Sequence, residues 1–233
     1  MLSNDKYYDN IPNLYKNLYD NRLLYIRSVN NLIYKFIKLK PQKYILDIGV
    51  GDGYRANSLI SELKIDKINY YGLEPSKNMY ENAKKYLLHK NLYHSNLENF
   101  RPNIKFDCVW FLWNVIGHVS DIDIFFIKLS KLLKKNGYII FDYNNIFNIR
   151  EYGLINFIKN KILSAFTQIF KFKITKLTHT TEVKFYTISF LKKTLQKCNF
   201  EIEKVYYVNY ENGNIEDNSH NGQVMMICKY VPK

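Results

Sequence analysis

The stretch that most restricts the fold is YILDIGVGDGY, residues Tyr44 to Tyr54, in which an apolar segment runs into a glycine-rich turn. The chain has only 9 glycines, yet Gly49, Gly51 and Gly53 fall within five residues. Glycine permits positive φ and lets the backbone approach another group closely. The stretch therefore predicts a β-strand, a tight loop and a helix whose unpaired N–H groups face a polar or anionic ligand.

Short apolar runs and amphipathic segments alternate along most of the chain. We predict strands at 43–48, 69–73, 107–112, 138–143, 201–208 and 223–231, and helices at 15–39, 55–63, 77–88, 121–133 and 189–197. Such alternation is typical of a doubly wound, mostly parallel α/β sheet. The last two strands follow each other without a helix between them, which predicts an antiparallel pair at one end of the sheet.

Residues 150–180 interrupt this alternation. A basic amphipathic helix is predicted at 154–166, and a strand of alternating apolar and polar residues at 170–178. We interpret this segment as a lid inserted over the carboxyl edge of the sheet. The predicted organisation is an N-terminal helical cap (1–40), a ligand-binding half of the sheet (41–149), the lid (150–180) and the C-terminal part of the same sheet (181–233).

Composition narrows the class of protein. The 233 residues are 47% hydrophobic and 24% charged, as in ordinary globular proteins. No apolar run is long enough for a membrane helix, no secretion signal is visible, and the three cysteines lack metal-ligand spacing. We therefore expect a cytoplasmic protein with no metal site. The net charge of +13 favours anionic partners such as nucleic acid, phosphorylated substrates or acidic lipid.

The spacing of the glycines distinguishes two kinds of nucleotide loop. Dinucleotide folds use G-x-G-x-x-G, whereas this chain has D-x-G-x-G-x-G, with Asp47 two residues before Gly49. This form resembles motif I of the class I S-adenosylmethionine-dependent methyltransferases. The resemblance implies a Rossmann-like, seven-stranded sheet in the order 3-2-1-4-5-7-6 with the last strand antiparallel. It also implies S-adenosyl-L-methionine as cofactor and S-adenosyl-L-homocysteine as product. The loop would hold the methionine end, and Asp47 would fix the loop or reach the cofactor's amino group through water.

Three further positions match that family. Glu74 ends the second predicted strand, 25 residues after Gly49, and an acid there accepts hydrogen bonds from ribose hydroxyls. Met79 completes the pattern E-x-S-x-x-M, in which the family's thioether flanks adenine, although an ordinary core methionine is an equal alternative. Asn96, within SNLE, resembles the residue at the edge of the family's adenine pocket.

The stretch WNVIGHV, which follows the third predicted strand (107–112), carries the candidate chemistry. Asn114 and His118 lie one helical turn apart, and the stretch resembles one in the glycine/sarcosine N-methyltransferases. The resemblance implies that Asn114 and Asn145 contact substrate, with Arg150 a candidate by proximity. We expect Trp113 near the cofactor or substrate. His118 is a candidate general base because its unperturbed pKa lies near neutrality; a structural cap is the alternative.

The leading segment carries Tyr7, Tyr8, Tyr15 and Tyr19. In this family the corresponding segment often folds over the cofactor, so we expect one tyrosine, with Tyr15 as the candidate, to contact substrate. Arg22 is a further candidate to pair with the cofactor carboxylate.

These observations predict a methyltransferase that acts on N or O of a small molecule, either phosphorylated or linked to a sugar or nucleotide. Capsule, surface-sugar and secondary-metabolite tailoring all fit this expectation, and an oligomer is compatible with it. An RNA methyltransferase is an alternative favoured by the charge, but no motif or RNA-binding module supports it, and DNA is not an expected partner. A non-catalytic cofactor-binding protein is another alternative, and a nicotinamide oxidoreductase is a remote one.

Overall fold

A computed structural model describes residues 4–9, 20–176 and 179–232. Its strands are β1 (Ile45–Ile48), β2 (Tyr70–Leu73), β3 (Leu92–Tyr93), β4 (Phe106–Phe111), β5 (Leu133–Tyr143), β6 (Ile169–Lys176), β7 (His179–Tyr186), β8 (Phe200–Val208), β9 (Ile215–Glu216) and β10 (Gln223–Tyr230). Its α-helices are α1 (Asn4–Asp9), α2 (Leu23–Leu39), α3 (Tyr54–Glu62), α4 (Lys77–Ala83), α5 (Ile122–Leu132), α6 (Ile149–Leu163) and α7 (Ile188–Lys197).

Within the described residues, the main sheet has eight strands in the order β3-β2-β1-β4-β5-β10-β8-β9. The strands from β3 to β5 are parallel, and β10 is antiparallel to both β5 and β8. The predicted α/β class, the strand order and the antiparallel last strand are confirmed. No segment was predicted for β3, and the eighth strand, β9, was not predicted, because a two-residue strand carries no detectable alternation.

The sheet is covered on both faces. Along β4, Val109 and Phe111 belong to one core, with α5 and α7, while Cys108 and Trp110 belong to the other, with α2 and α3. This alternation is the two-residue period of a strand. Both faces of the parallel strands are therefore buried, and the carboxyl edge of the sheet is the place where a ligand can reach the backbone.

Side-chain caps fix where several helices begin. Ser76 accepts a hydrogen bond from Met79 N, Asp121 from Ile124 N and Thr187 from Phe190 N, as expected of N-cap residues. The helix predicted at 77–88 ends at Ala83, because the next residues form turns that bring Leu87 into the core.

The segment after β5 forms α6 and a separate two-stranded antiparallel sheet, β6–β7. The strand predicted at 170–178 is β6, and its partner β7 was not predicted. Lys184 of β7 donates hydrogen bonds to the carbonyl oxygens of Val119 (2.9 Å) and Ser120 (2.6 Å). The hairpin is thereby tied to the loop that follows β4. The helix predicted at 154–166 is the second part of α6, which is broken at Gly153 (φ 80°, ψ 160°).

Candidate functional site

The glycine loop joins β1 to α3 at the carboxyl edge of the sheet. The N–H groups of Gly49 and Val50 donate to the carbonyl oxygen of Leu73 at 2.8 and 3.1 Å, which holds the loop against the end of β2. Gly49 has φ +77°, and a Cβ on it would lie 2.8 Å from a methyl group of Val115. A Cβ on Gly53 (φ +80°) would lie 2.8 Å from Cα of Ala83 in α4. Glycine is therefore required at both positions by conformation and by space.

Glu74 fixes the same loop from the end of β2. Its carboxylate is buried and accepts hydrogen bonds from Gly51 N (2.8 Å) and Ser76 N (2.9 Å), one on each oxygen. Burial raises the pKa of Glu74 to about 7, although these two hydrogen bonds act in the opposite direction. Each carboxylate oxygen has two acceptor positions, so each retains capacity for a further donor.

Asp47 lies beneath the loop. It is buried and accepts a hydrogen bond from the Tyr70 hydroxyl. Burial raises the pKa of Asp47 to about 6, and the hydrogen bond from Tyr70 lowers it. Asp47 lines a small pocket of about 20 Å³ together with Arg55. Asn30 Oδ1 accepts from Arg55 Nε and Nη2 at 3.4 and 3.2 Å, whereas the buried Nη1 has no hydrogen-bond partner among the described residues.

A cavity of about 450 Å³ opens beside the glycine loop. Its walls come from the ends of β1, β2 and β4, from α4 and from the segment after β3. Tyr8 of α1 forms part of it. The lining includes most of the predicted cofactor positions: Gly49, Gly51, Glu74, Met79, Asn96 and Trp113.

His118 and Tyr8 form a polar pair in this cavity. His118 Nε2 and the Tyr8 hydroxyl share a hydrogen bond at 3.1 Å, and their rings meet edge to face. Burial lowers the pKa of His118 to about 4, so the imidazole is neutral near pH 7. Burial raises the pKa of the Tyr8 hydroxyl. Near pH 7 both groups are therefore neutral, and one hydrogen bond joins them.

The loop after β4 depends on a buried acid. Trp113 and Asn114 both have positive φ (65° and 59°), a strained conformation for non-glycine residues. The carboxylate of Asp142, at the end of β5, accepts hydrogen bonds from the backbone N–H groups of both and from the Tyr25 hydroxyl. Asp142 thus holds in place the loop that carries His118.

Five other predicted residues that the structure describes lie outside the cavity lining. Asn114 is buried, and its Oδ1 accepts from Asn144 N at 3.1 Å. Asn145 donates to the carbonyl oxygens of Ser219 and Gly222. Arg150 lies 3.9 Å from Glu216 on the surface. Asp47 and Gly53 support the loop from behind, and Tyr15 lies outside the described residues.

Two further residues stand out at the site. Tyr8 was one of several tyrosines on the leading segment, and only the fold shows which one meets His118. Arg55 lies two residues after Gly53. That position beside the glycine loop was the only feature of the sequence that pointed to Arg55 as a site residue. Arg22, a candidate for the cofactor carboxylate, instead pairs with Glu151 at 3.0 Å and stacks over Tyr210.

No helix among the described residues is long and apolar enough to cross a membrane. No group of three or more His, Cys, Asp or Glu side chains in the same residues is arranged to hold a metal ion.

Comparison with known proteins gives a consistent result. A methyltransferase domain family profile matches residues 20–205. No curated protein matches the chain. Among solved structures, the chain is similar to an S-adenosylmethionine-dependent methyltransferase from Clostridium acetobutylicum, with 16% identity and a TM-score of 0.66. That match covers 96% of this chain and 100% of the other.

Two other solved structures carry more specific descriptions. One is described as a possible histamine N-methyltransferase from Thermotoga maritima, with 21% identity, a TM-score of 0.64, and coverage of 97% of this chain and 99% of the other. The other is a sugar N-methyltransferase from a Streptoalloteichus species, with 11% identity, a TM-score of 0.64, and coverage of 94% and 93%. At these identities the likeness shows a shared fold.

Proposed function

Because the chain belongs to the methyltransferase domain family and is a class I S-adenosylmethionine-dependent methyltransferase, we propose that it methylates an amine nitrogen, or less favourably a hydroxyl, of a small molecule whose acceptor atom lies beside His118. The observation that carries the proposal is the Tyr8–His118 pair, which lines the same cavity as the glycine loop and Glu74.

The cavity matches what the cofactor requires. Its volume of about 450 Å³ lies within the usual range of ligand pockets, about 300–1,000 Å³. We assign the ribose hydroxyls to the remaining acceptor positions of Glu74, and the adenine to the wall formed by Met79, Asn96 and Leu97. When bound, the cofactor supplies a methyl group on a positively charged sulfur.

The methionine end would lie at the glycine loop. Gly49 lines both the main cavity and the small pocket that holds Arg55. A buried guanidinium nitrogen without a hydrogen-bond partner is costly, and a carboxylate at this pocket would satisfy it. We therefore assign the cofactor carboxylate to Arg55 Nη1.

His118 would serve the acceptor. A neutral imidazole takes up a proton as the nucleophile becomes positively charged, and the Tyr8 hydroxyl keeps the ring oriented. The low pKa of His118 makes it a weak base, so an amine that arrives neutral suits the site better than a hydroxyl. Most of the rate enhancement would then come from alignment of the acceptor with the methyl group.

The charges of the cavity also favour an amine. Its described lining contains Glu74 and Glu98 but no lysine or arginine. Acidic side chains repel a phosphate, whereas a neutral amine meets no such repulsion. A phosphorylated acceptor, which the overall charge led us to expect, therefore finds no supporting cation in the described lining. The RNA alternative rests on the same overall charge and has no other support.

The test is a methylation screen. The protein and S-adenosylmethionine are incubated with amino sugars, biogenic amines and matched hydroxyl compounds, and products are detected by a mass gain of one methyl group. With an active acceptor, His118→Ala should lose turnover but retain S-adenosylhomocysteine binding. His89→Ala, which changes an exposed histidine in a short helical turn, is the matched control.

Three results would contradict the proposal. Transfer to hydroxyl compounds alone would exclude an amine as the methyl acceptor. Full turnover in the His118 variant would exclude His118 as the general base. Cofactor binding without transfer to any compound in the panel would favour the non-catalytic alternative.

A further inference from the structure

The second part of α6 exposes its apolar side chains to solvent. Ile155, Ile158 and Ile162 are 83%, 50% and 62% exposed, and Phe166, just beyond the helix, is 86% exposed. The three isoleucines are spaced i, i+3 and i+7, so they form one stripe along the helix. Single exposed apolar residues are ordinary, but a contiguous stripe marks an interaction surface.

The opposite side of the same helix is more polar. Asn160 is buried and donates to the carbonyl oxygen of Ile146 at 3.1 Å. Lys161 lies over the Phe147 ring, 4.4 Å from its centroid. A helix that packs only against the protein's own core would direct its isoleucines toward that core. Phe157 does turn inward, against the rings of Phe147 and His220, so α6 has apolar side chains on both sides and the isoleucine stripe is the side left exposed.

The segment that carries the stripe is basic. From Tyr152 to Lys176 the sequence contains five lysines and no acidic residue. Lys159 is exposed and lies within one helical turn of Ile155 and Ile162. Lys173 is exposed on β6, the strand that follows the helix, and Lys171 of the same strand lies 3.8 Å from Glu182 of β7. The whole chain has a net charge of +13.

We propose that this outer lid face, formed by Ile155, Ile158, Ile162 and Phe166 with Lys159 and Lys173, docks onto an anionic lipid bilayer. An apolar stripe flanked by lysines is the pattern of helices that lie in the membrane interface. The apolar side chains enter the acyl boundary, and the lysines contact lipid phosphates. No spanning segment is needed for this mode of attachment.

The same observations disfavour two other occupants. A second copy would bring the same lysines against this face, and like charges repel. Single-stranded nucleic acid binds through basic grooves with aromatic rings on which bases stack, whereas the exposed stripe here is mainly isoleucine.

The experiment is flotation of the full-length protein with vesicles. One set contains phosphatidylcholine alone, and the other contains phosphatidylcholine with phosphatidylglycerol. The protein should float with the anionic vesicles only, and flotation should weaken as salt rises. Each Lys→Gln change at Lys159 or Lys173 should weaken binding roughly fivefold.

Matched triple variants separate the stripe from general apolar exposure. Ile155→Gln/Ile158→Gln/Ile162→Gln should abolish flotation. Ile68→Gln/Ile124→Gln/Ile215→Gln changes three isoleucines that are 48%, 55% and 53% exposed elsewhere, and should float like the wild type. Both variants should bind S-adenosylhomocysteine normally, which shows that they are folded and keeps this test separate from that of the methyltransferase site.

Several outcomes would overturn the proposal. Absence of wild-type flotation with anionic vesicles would do so, as would normal flotation of the α6 triple variant. A wild-type dimer that the α6 substitutions convert to a monomer, without any vesicle binding, would assign the stripe to a second copy instead.

Discussion

The state of Glu74 predicts how the affinity for the ribose depends on pH. Burial raises the pKa of Glu74 to about 7 in the ligand-free protein, and only the ionised carboxylate offers all its lone pairs as acceptors. Gly51 N and Ser76 N already use one position on each oxygen. Protonation would turn one of the remaining acceptor positions into a donor, so that position could no longer accept a hydrogen bond from a ribose hydroxyl. Ribose binding should therefore strengthen as pH rises through 7.

The magnitude follows from the titration. With a pKa of about 7, roughly 9% of the carboxylate is ionised at about pH 6 and roughly 91% at about pH 8, which predicts about tenfold tighter binding at the higher pH. Other groups contribute less to this window. His118, with a pKa of about 4, stays neutral throughout. Asp47, with a pKa of about 6, does not line the main cavity.

Adenosine is the appropriate ligand for this measurement. It carries the ribose and adenine but neither the amino group nor the carboxylate of the cofactor, so its own charge does not change across the window. Calorimetric titrations of the wild type and Glu74→Gln at the two pH values give four affinities. The wild type should show the tenfold difference, and the Gln variant should bind weakly with no pH dependence. Equal wild-type affinities, or the same slope in the variant, would refute the ribose assignment.

Three further predictions concern the loops around the cavity. Gly49→Ala should lower the free energy of unfolding in urea by more than the about 1–2 kcal/mol that a left-handed backbone alone costs alanine, because a Cβ there would also lie 2.8 Å from a methyl group of Val115; a loss below about 1 kcal/mol would contradict this. Tyr8→Phe should lower turnover roughly tenfold while S-adenosylhomocysteine affinity stays within about twofold, because only the orientation of His118 changes; unchanged turnover would remove Tyr8 from the mechanism. Asp142→Asn should lower the free energy of unfolding by roughly 2–3 kcal/mol, since it weakens three hydrogen bonds to a buried carboxylate; a thermal melt that matches the wild type would contradict that role.

Much of the fold was predictable because its signals are local. Strand runs such as β1 and β4 are apolar and short, and the cap at Ser76 marks the start of α4. The three glycines of the loop predicted that the backbone there approaches another group closely. The strands whose positions escaped prediction are β3, β7 and β9. They depend on pairing with a partner strand, which no local pattern records.

The site was predictable only where a motif fixes the backbone. Gly49, Glu74 and Met79 line the cavity as expected because their places follow from strand ends and a helix start. Asn114 was expected to face the pocket because it lies four residues before His118. The loop there takes positive φ at Asn114, so helical spacing does not apply and the side chain turns toward Asn144.

Contacts between distant segments could not be predicted in the same way. Tyr8 and His118 are 110 residues apart, and Tyr25 and Asp142 are 117 apart. Such pairs depend on how the leading segment packs over the sheet. The sequence offered several tyrosines that were equally suited to either role, so the choice between them required the structure.

The central claim is that the glycine loop and Glu74 hold S-adenosylmethionine. The most direct test is calorimetric titration of the protein with S-adenosylhomocysteine and, separately, with NAD. We expect one-to-one binding of S-adenosylhomocysteine, loss of most of that affinity in Glu74→Ala, and no binding of NAD. Binding of NAD alone, or S-adenosylhomocysteine affinity that is unchanged in Glu74→Ala, would contradict it.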